Sequence, residues 1–267
     1  MKKTILTGIL AAAAGCGALM AQQAQVTQSA PAAPAAPAPP KVKSPAEAQA
    51  VNAMIQAQQA GPDAVIKAAD DLITKFADTE FKEIALTLEA DSYEKKGDYI
   101  KAEVVDEDIL KINAKNIAAE MQLGELTVNH TGENDLDKEE KLSKAEKLLN
   151  QAIADLKAAP KPRPDITDAQ WEGYKKQQTG QAQADLGRLN MVRKKYDDAV
   201  TQYKAAIDTD AQPAYQAYLA MAYQKGGKND EALAVCDKLL SDPQLNPAIK
   251  QYAQNVQKAA TAAKSAK

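Results

Sequence analysis

The chain has 267 residues, a formal net charge of −3 and 4% aromatic residues. That charge argues against a nucleic-acid footprint, which needs a basic face, and so thin an aromatic content is unlike a compact globular enzyme. Only two cysteines occur, Cys16 and Cys236, so loss of the N-terminal segment leaves no internal disulfide and stability has to come from packing.

The first residues read as a targeting segment. Lys2-Lys3 supply a positive start, Ile5 to Ala14 a short apolar run, and Ala18 to Gln22 small and polar residues near a cleavage point. This pattern is a secretory signal over residues 1–21, too short to span a membrane. It places the protein in the periplasm or cell envelope of a bacterium. Two processing routes are open. Cleavage after Ala21 releases a chain without a lipid. Alternatively, Ala13-Ala14-Gly15-Cys16 resembles a lipobox, which would put a diacylglycerol on Cys16 and make the protein an outer-membrane lipoprotein. Membrane association is expected only on that second route.

Residues 22–43 form an Ala/Pro/Gln-rich linker. Pro31, Pro34, Pro37, Pro39 and Pro40 give it polyproline II character, so Gln22 to Pro40 reaches about 60 Å at roughly 3.1 Å per residue. Helical sequence follows over 44–159. Ser44-Pro45-Ala46-Glu47 has an N-cap serine, a proline at the first helical position and a glutamate at the capping-box position. Gly61-Pro62-Asp63 ends that helix and opens the next. A proline-rich break covers 160–166, and Thr167-Asp168 caps a further helical stretch over 167–263. Asn246-Pro247 opens its last helix, and 264–267 is a tail. No segment alternates apolar and polar residues for long, so no strands are predicted.

Four helices carry clear apolar faces at three-and-four spacing. One holds Tyr99, Ala102, Val105, Ile109 and Ile112. The others hold Leu142, Ala145, Leu149, Ala152 and Leu156; Tyr196, Ala199, Tyr203 and Ala206; and Ala232, Val235, Cys236 and Leu239. A phrase recurs before three of them. Lys96-Gly97-Asp98-Tyr99-Ile100-Lys101-Ala102 reads like Arg193-Lys194-Lys195-Tyr196-Asp197-Asp198-Ala199, and like Gly226-Gly227-Lys228-Asn229-Asp230-Glu231-Ala232. Each phrase closes one helix and opens another.

This pattern resembles the tetratricopeptide repeat, a unit of about 34 residues whose two helices pack antiparallel. Ala90 and Tyr93 match a first helix, with Gly97-Asp98-Tyr99 as the turn and Ala102 in the second helix. Leu123-Gly124 with Ala145, Leu186-Gly187 with Ala199, and Leu219-Ala220-Tyr223 with Ala232 give three more units. Ala199 and Ala232 are 33 residues apart. Ala102 and Ala145 are 43 apart, which predicts a polar loop over Val128 to Lys138. Ala145 and Ala199 are 54 apart, which predicts a proline break and an extended helix from Thr167 that carries two helix-weakening residues, Gly173 and Gly180. The resemblance implies an all-α, right-handed solenoid of about four antiparallel helix pairs with a C-terminal capping helix, whose inner face holds Ile249, Tyr252, Ala253 and Val256.

The resemblance also implies a concave groove formed by the first helices. Carrying the family's groove positions over by register points to Thr87, Asp91, Glu94, Met121, Glu125, Arg188, Met191, Met221 and Gln224. The expected occupant is a peptide or helical segment of another protein, not a nucleic acid or small-molecule substrate. No phosphate loop, nucleophile elbow or zinc-protease motif is present, so no catalytic residue, cofactor or metal is expected. His130 reads as a loop histidine, the carboxylates from Glu133 to Glu140 as a solvated acidic loop, and Cys236 as a buried thiol. Trp171 and Tyr174, one turn apart, read as packing against the proline break. Ile73-Thr74-Lys75-Phe76-Ala77-Asp78-Thr79-Glu80-Phe81 looks like the inter-repeat turns of outer-membrane assembly lipoproteins, with Ala for Pro. The sequence therefore predicts a binding scaffold of the envelope, with a lipid-anchored assembly component as the alternative. Intact-mass measurement of the mature protein is expected to place its N-terminus at Gln22; a lipid-bearing Cys16 would establish the second route.

Overall fold

The computed structural model describes residues 39–266, so the signal segment, most of the linker and Cys16 lie outside the described residues. Among the described residues there are eleven helices and no strands. They are α1 (Pro45–Ala57), α2 (Pro62–Lys75), α3 (Lys82–Lys96), α4 (Tyr99–Ile112), α5 (Ile117–His130), α6 (Lys138–Ala158), α7 (Asp168–Val192), α8 (Tyr196–Thr209), α9 (Pro213–Lys225), α10 (Asn229–Leu240) and α11 (Pro247–Ser265). None is long and apolar enough to cross a membrane.

Helix starts follow local chemistry. The Ser44 hydroxyl accepts from the Glu47 N–H, Asn116 caps α5, Asn246 caps α11, and Thr167 forms a full capping box with Gln170. Pro45, Pro62, Pro213 and Pro247 occupy first helical positions, where a missing N–H costs nothing. The predicted capping box at Glu47 is only half made. The buried Glu47 carboxylate accepts from the Thr79 hydroxyl at 2.6 Å and from the Lys43 N–H instead. That choice ties the start of α1 to the turn after α2.

The three recurrent phrases share one backbone device. Gly97, Lys194 and Gly227 have φ of 75°, 61° and 77°. In each turn the following N–H reaches back across it: Asp98 to the Tyr93 carbonyl (2.9 Å), Lys195 to Asn190 (2.9 Å) and Lys228 to Tyr223 (2.9 Å). This left-handed cap satisfies orphan carbonyls and reverses the chain. Glycine adopts it freely, whereas Lys194 carries a Cβ and is strained there.

Consecutive helices pack against one another along the whole array, so α1–α2, α3–α4, α5–α6, α7–α8 and α9–α10 form successive pairs and α11 closes the end. The α1–α2 pair lies ahead of the four units that the repeat phrases mark. First helices also meet across units, α5 with α7 and α9 with α11. Ala102, Ala145, Ala199 and Ala232 are all fully buried, as the register requires. On α11, Ala253 and Val256 are buried while Gln251, Gln254, Asn255 and Lys258 are exposed. Ion pairs recur with the repeat: Lys96 with Asp63, Lys228 with Asp197, and Lys264 with Asp230. All are exposed and contribute little each.

Several expectations are corrected. Tyr99 and Ile112, at the ends of α4, are 39% and 48% exposed, because only its middle is covered by α3 and α5. The long insertion is not a loop from Val128. Leu126 and Val128 are buried, so α5 runs on to His130, and the excess divides between 131–137 and an added first turn of α6. His130 is thus helical; its Nδ1 lies 2.9 Å from the Leu126 carbonyl and its ring stacks on Tyr99 at 4.3 Å. The acidic stretch is not merely solvated. Glu133 pairs with Lys194, Glu139 with Arg193 (2.6 Å), and Asp135 and Asp137 with Lys141 (3.3 and 3.0 Å). By contrast, the extended helix predicted from Thr167 is present: α7 runs unbroken through Gly173 and Gly180.

Two substitutions separate strain from close packing. Lys194→Gly is expected to stabilise the fold by up to about 1 kcal/mol by relieving the positive φ, while Gly187→Ala is expected to cost about 1–3 kcal/mol. A Cβ on Gly187 would sit 2.6 Å from the buried Tyr203 ring. Urea midpoints of both variants check the two signs.

Candidate functional site

The groove begins at the proline break. Beyond it, the indole N–H of Trp171 donates to the Ala159 carbonyl at 3.3 Å, which anchors the first turns of α7 against the end of α6. Trp171 is buried and stacks on Tyr174, with ring centroids 5.3 Å apart and planes 12° from parallel. This bears out the packing role read from the sequence. It also sets Tyr174, Gln178 and Gln181 as one wall of a cavity of about 200 Å³. The opposite wall is Asp91 and Glu94 of α3. Ile117, Met121 and Leu126 of α5 supply apolar surface, and Gln122 and Glu125 of the same helix add polar groups. Four residues picked by register, Asp91, Glu94, Met121 and Glu125, therefore meet across the first helices of successive units.

This stretch of groove is acidic. Burial pushes the Asp91 carboxyl above its ordinary range, with Lys95 opposing. Burial also raises Glu94, as do the neighbouring charges of Glu125 and Asp91, although Gln122 Nε2 donates to it at 3.0 Å. Two further carboxyls stand behind the wall. Asp106 of α4 is fully buried, and neither carboxylate oxygen has a hydrogen-bond partner. Its pKa is pushed up to about 8, first by burial and then by Asp91, Glu94 and Glu103. Asp185 of α7 is also fully buried and is raised by burial and by Glu125. Gln181 donates to it at 3.1 Å and Arg188 lies 3.9 Å away, yet Oδ1 has no hydrogen-bond partner.

The other register-derived positions lie outside this cavity. The Thr87 hydroxyl turns back to donate to the Glu83 carbonyl at 2.9 Å. Arg188 donates to Asn129 Oδ1 and places its guanidinium over the Tyr218 ring at 5.8 Å. Met191 packs on the cluster around Ala199 and Tyr203, and Met221 on that of Ala220, Cys236 and Val256. Both methionines are half-buried, as is Gln224. Cys236 is fully buried and its thiol is pushed up to about 11 by burial, so it is inert packing.

Sequence reasoning read Tyr174 only as packing and did not pick out Gln178 or Gln181; Tyr174 and Gln178 precede the regular start of the unit that contains Leu186-Gly187. It also missed Asp106 and Asp185. A signal existed for both: each lies four residues from a buried apolar position, Ala102 or Leu189, and so belongs to the packed face. Among the described residues no cluster of histidine, cysteine or carboxylates is arranged to hold a metal ion.

No protein-family model matches the chain, and no curated protein matches it. Solved structures do. A thermophilic TPR protein from Thermus thermophilus is 18% identical, covering 79% of this chain and 98% of its own, with a TM-score of 0.52. A MamA protein is 16% identical over 73% of this chain and 90% of its own, with a TM-score of 0.54. MamA from residue 41 onward, from Desulfovibrio magneticus, is 14% identical over 74% and 96%, with a TM-score of 0.56. The fold is that of a tetratricopeptide-repeat solenoid. Within it, the groove across α3, α5 and α7 lies on the first helices, where the repeat register places it.

The buried carboxyls give the solenoid a defined pH response. Asp106 in the folded state keeps a proton that the unfolded chain releases near pH 4. Its contribution to stability therefore falls as pH rises from about 4 to about 8, then levels off. Glu89 and Glu120, raised to about 7 chiefly by burial, act in the same direction over the lower part of that window. Asp106→Asn is expected to gain about 1–2 kcal/mol over wild type at pH 8 and less at pH 5. Parallel denaturation curves at the two pH values check this; an advantage independent of pH would reject the assignment.

Proposed function

We propose that this protein is a non-catalytic scaffold of the bacterial cell envelope that binds a segment of a protein partner along its concave face. The observation that carries the reading is the groove across α3, α5 and α7, in which carboxylates and amides surround the apolar surface of Ile117, Met121 and Leu126. Such a surface offers no nucleophile paired with a base. It offers what an extended or helical segment needs, apolar contact with polar groups at its margin. Repeat solenoids expose continuous surfaces of this kind because each unit buries only its neighbours. Placement in the envelope rests on the signal-like residues 1–21, and a lipid anchor on Cys16 would make the protein a membrane-held member of an assembly complex.

Site-specific photo-crosslinking in intact cells tests the face. A crosslinker at Gln178, on the groove wall, is expected to capture a discrete envelope protein. One at Lys204, exposed on α8, is expected to capture nothing specific. Capture from Lys204 alone would move binding to the second helices, and circular dichroism of both variants confirms that each is folded.

A further inference from the structure

We propose that the groove between α3, α5 and α7 takes a basic side chain, lysine or arginine, carried by a segment of the protein partner. This rests on the concave-face reading above and names the chemistry of its occupant. The argument begins with charge. Asp91, Glu94 and Glu125 line the cavity, and no lysine or arginine lines it. Lys95 tempers Asp91, and Arg188 is engaged by Asn129 and Asp185. The groove's carboxylates thus face one another more than they face any cation.

An independent observation points the same way. Asp106 and Asp185 are wholly buried, carry oxygens with no hydrogen-bond partner, and stand behind the same wall. Asp106 faces Asp91 and Glu94 from α4, and Asp185 faces Glu125 from α7. Unpartnered buried carboxyls are costly, and their presence calls for an explanation, of which a cationic partner is one. A cation in the cavity would be attracted by Asp91, Glu94 and Glu125, and its arrival would favour ionisation of the protonated Asp106 and Asp185 behind them. Shape selects the kind of cation. Carboxylates on two helices, beside Met121, Leu126 and the Tyr174 ring, suit an aliphatic stem with a charged head. They do not suit a bare metal ion, which needs converging oxygens, and no such convergence is present among the described residues.

The test uses the full chain and a fluorescein-labelled, end-blocked 14-residue peptide of alternating Arg, Leu and Ser, with a matched peptide bearing Glu for Arg. Anisotropy is expected to show the basic peptide binding at least about tenfold tighter than the acidic one. Glu94→Gln with Glu125→Gln is expected to weaken it about five- to tenfold with helicity unchanged. Glu140→Gln with Glu231→Gln, both exposed on second helices, removes the same charge outside the groove and is expected to leave affinity within twofold. Equal loss in both double variants would reduce the effect to net charge and overturn the proposal. So would peptides bound equally well, or calorimetry in which calcium chloride binds wild type and not the groove variant while neither peptide binds. Specific capture at Gln178 alongside such a result would leave the concave-face reading standing and remove only the basic occupant.

Discussion

Everything in this solenoid depends on how closely paired helices approach. Gly124 lets α5 come against α6 so tightly that an added Cβ would lie 2.8 Å from Leu149 Cγ, and Gly187 does the same for α7 against the Tyr203 ring of α8. Where a unit has alanine instead, at Ala90 or Ala220, that residue is fully buried. Only small residues at these points bring the backbones near enough for Leu149, Tyr203, Leu142 and Leu189 to share continuous clusters. The closeness propagates, because each pair leaves one apolar side that the next pair must cover.

The left-handed turns complete this constraint. Tight pairs require a reversal within a few residues, and the positive φ at Gly97 and Gly227 provides it. At Lys194 the same geometry persists without glycine. The neighbourhood over-determines it. Arg193, nearly inaccessible, reaches Glu139 and Glu146 of α6 at 2.6 Å each, and Lys194 itself pairs with Glu133. The acidic stretch before α6 therefore fastens the α7–α8 turn.

The fold was legible because repetition overrides weak local signals. Ala199 and Ala232 mark equivalent positions whatever the intervening residues, so register carried from one unit to the next. On α3 and α5 the register positions Asp91, Glu94, Met121 and Glu125 meet in one cavity. Register alone could not say that the Thr87 hydroxyl would bond its own helix, or that Met191 and Met221 would be drawn onto neighbouring clusters. Those outcomes depend on side-chain direction and on the bulk of tyrosines from other units. The end of α5 was misjudged for a similar reason: Asn129, His130 and Thr131 look like loop residues, yet burial of Leu126 and Val128 and the Thr131 hydroxyl's bond to the Thr127 carbonyl at 2.6 Å hold the helix together.

The departure from the repeat is what gives this chain its walled groove. An array of regular units would present similar shallow furrows between successive first helices. Here α7 starts well before its repeat would require and is pinned by Trp171 to the end of α6, so its early turns stand beside α5 as a wall. Gly180 permits this: a Cβ there would lie 2.9 Å from Asp210 Cβ, so any larger residue would push the extension away from the α8–α9 connection. Beyond the extension, Gln181 and Asp185 of the same helix lie near Glu125, which concentrates negative charge where the wall meets the floor. Electrostatic attraction grows as water is excluded, so a walled acidic furrow discriminates by charge more strongly than an open one with the same residues. The insertion between the second and third repeat units that blurred the sequence pattern is thus the feature that walls the groove in which we propose the partner segment binds.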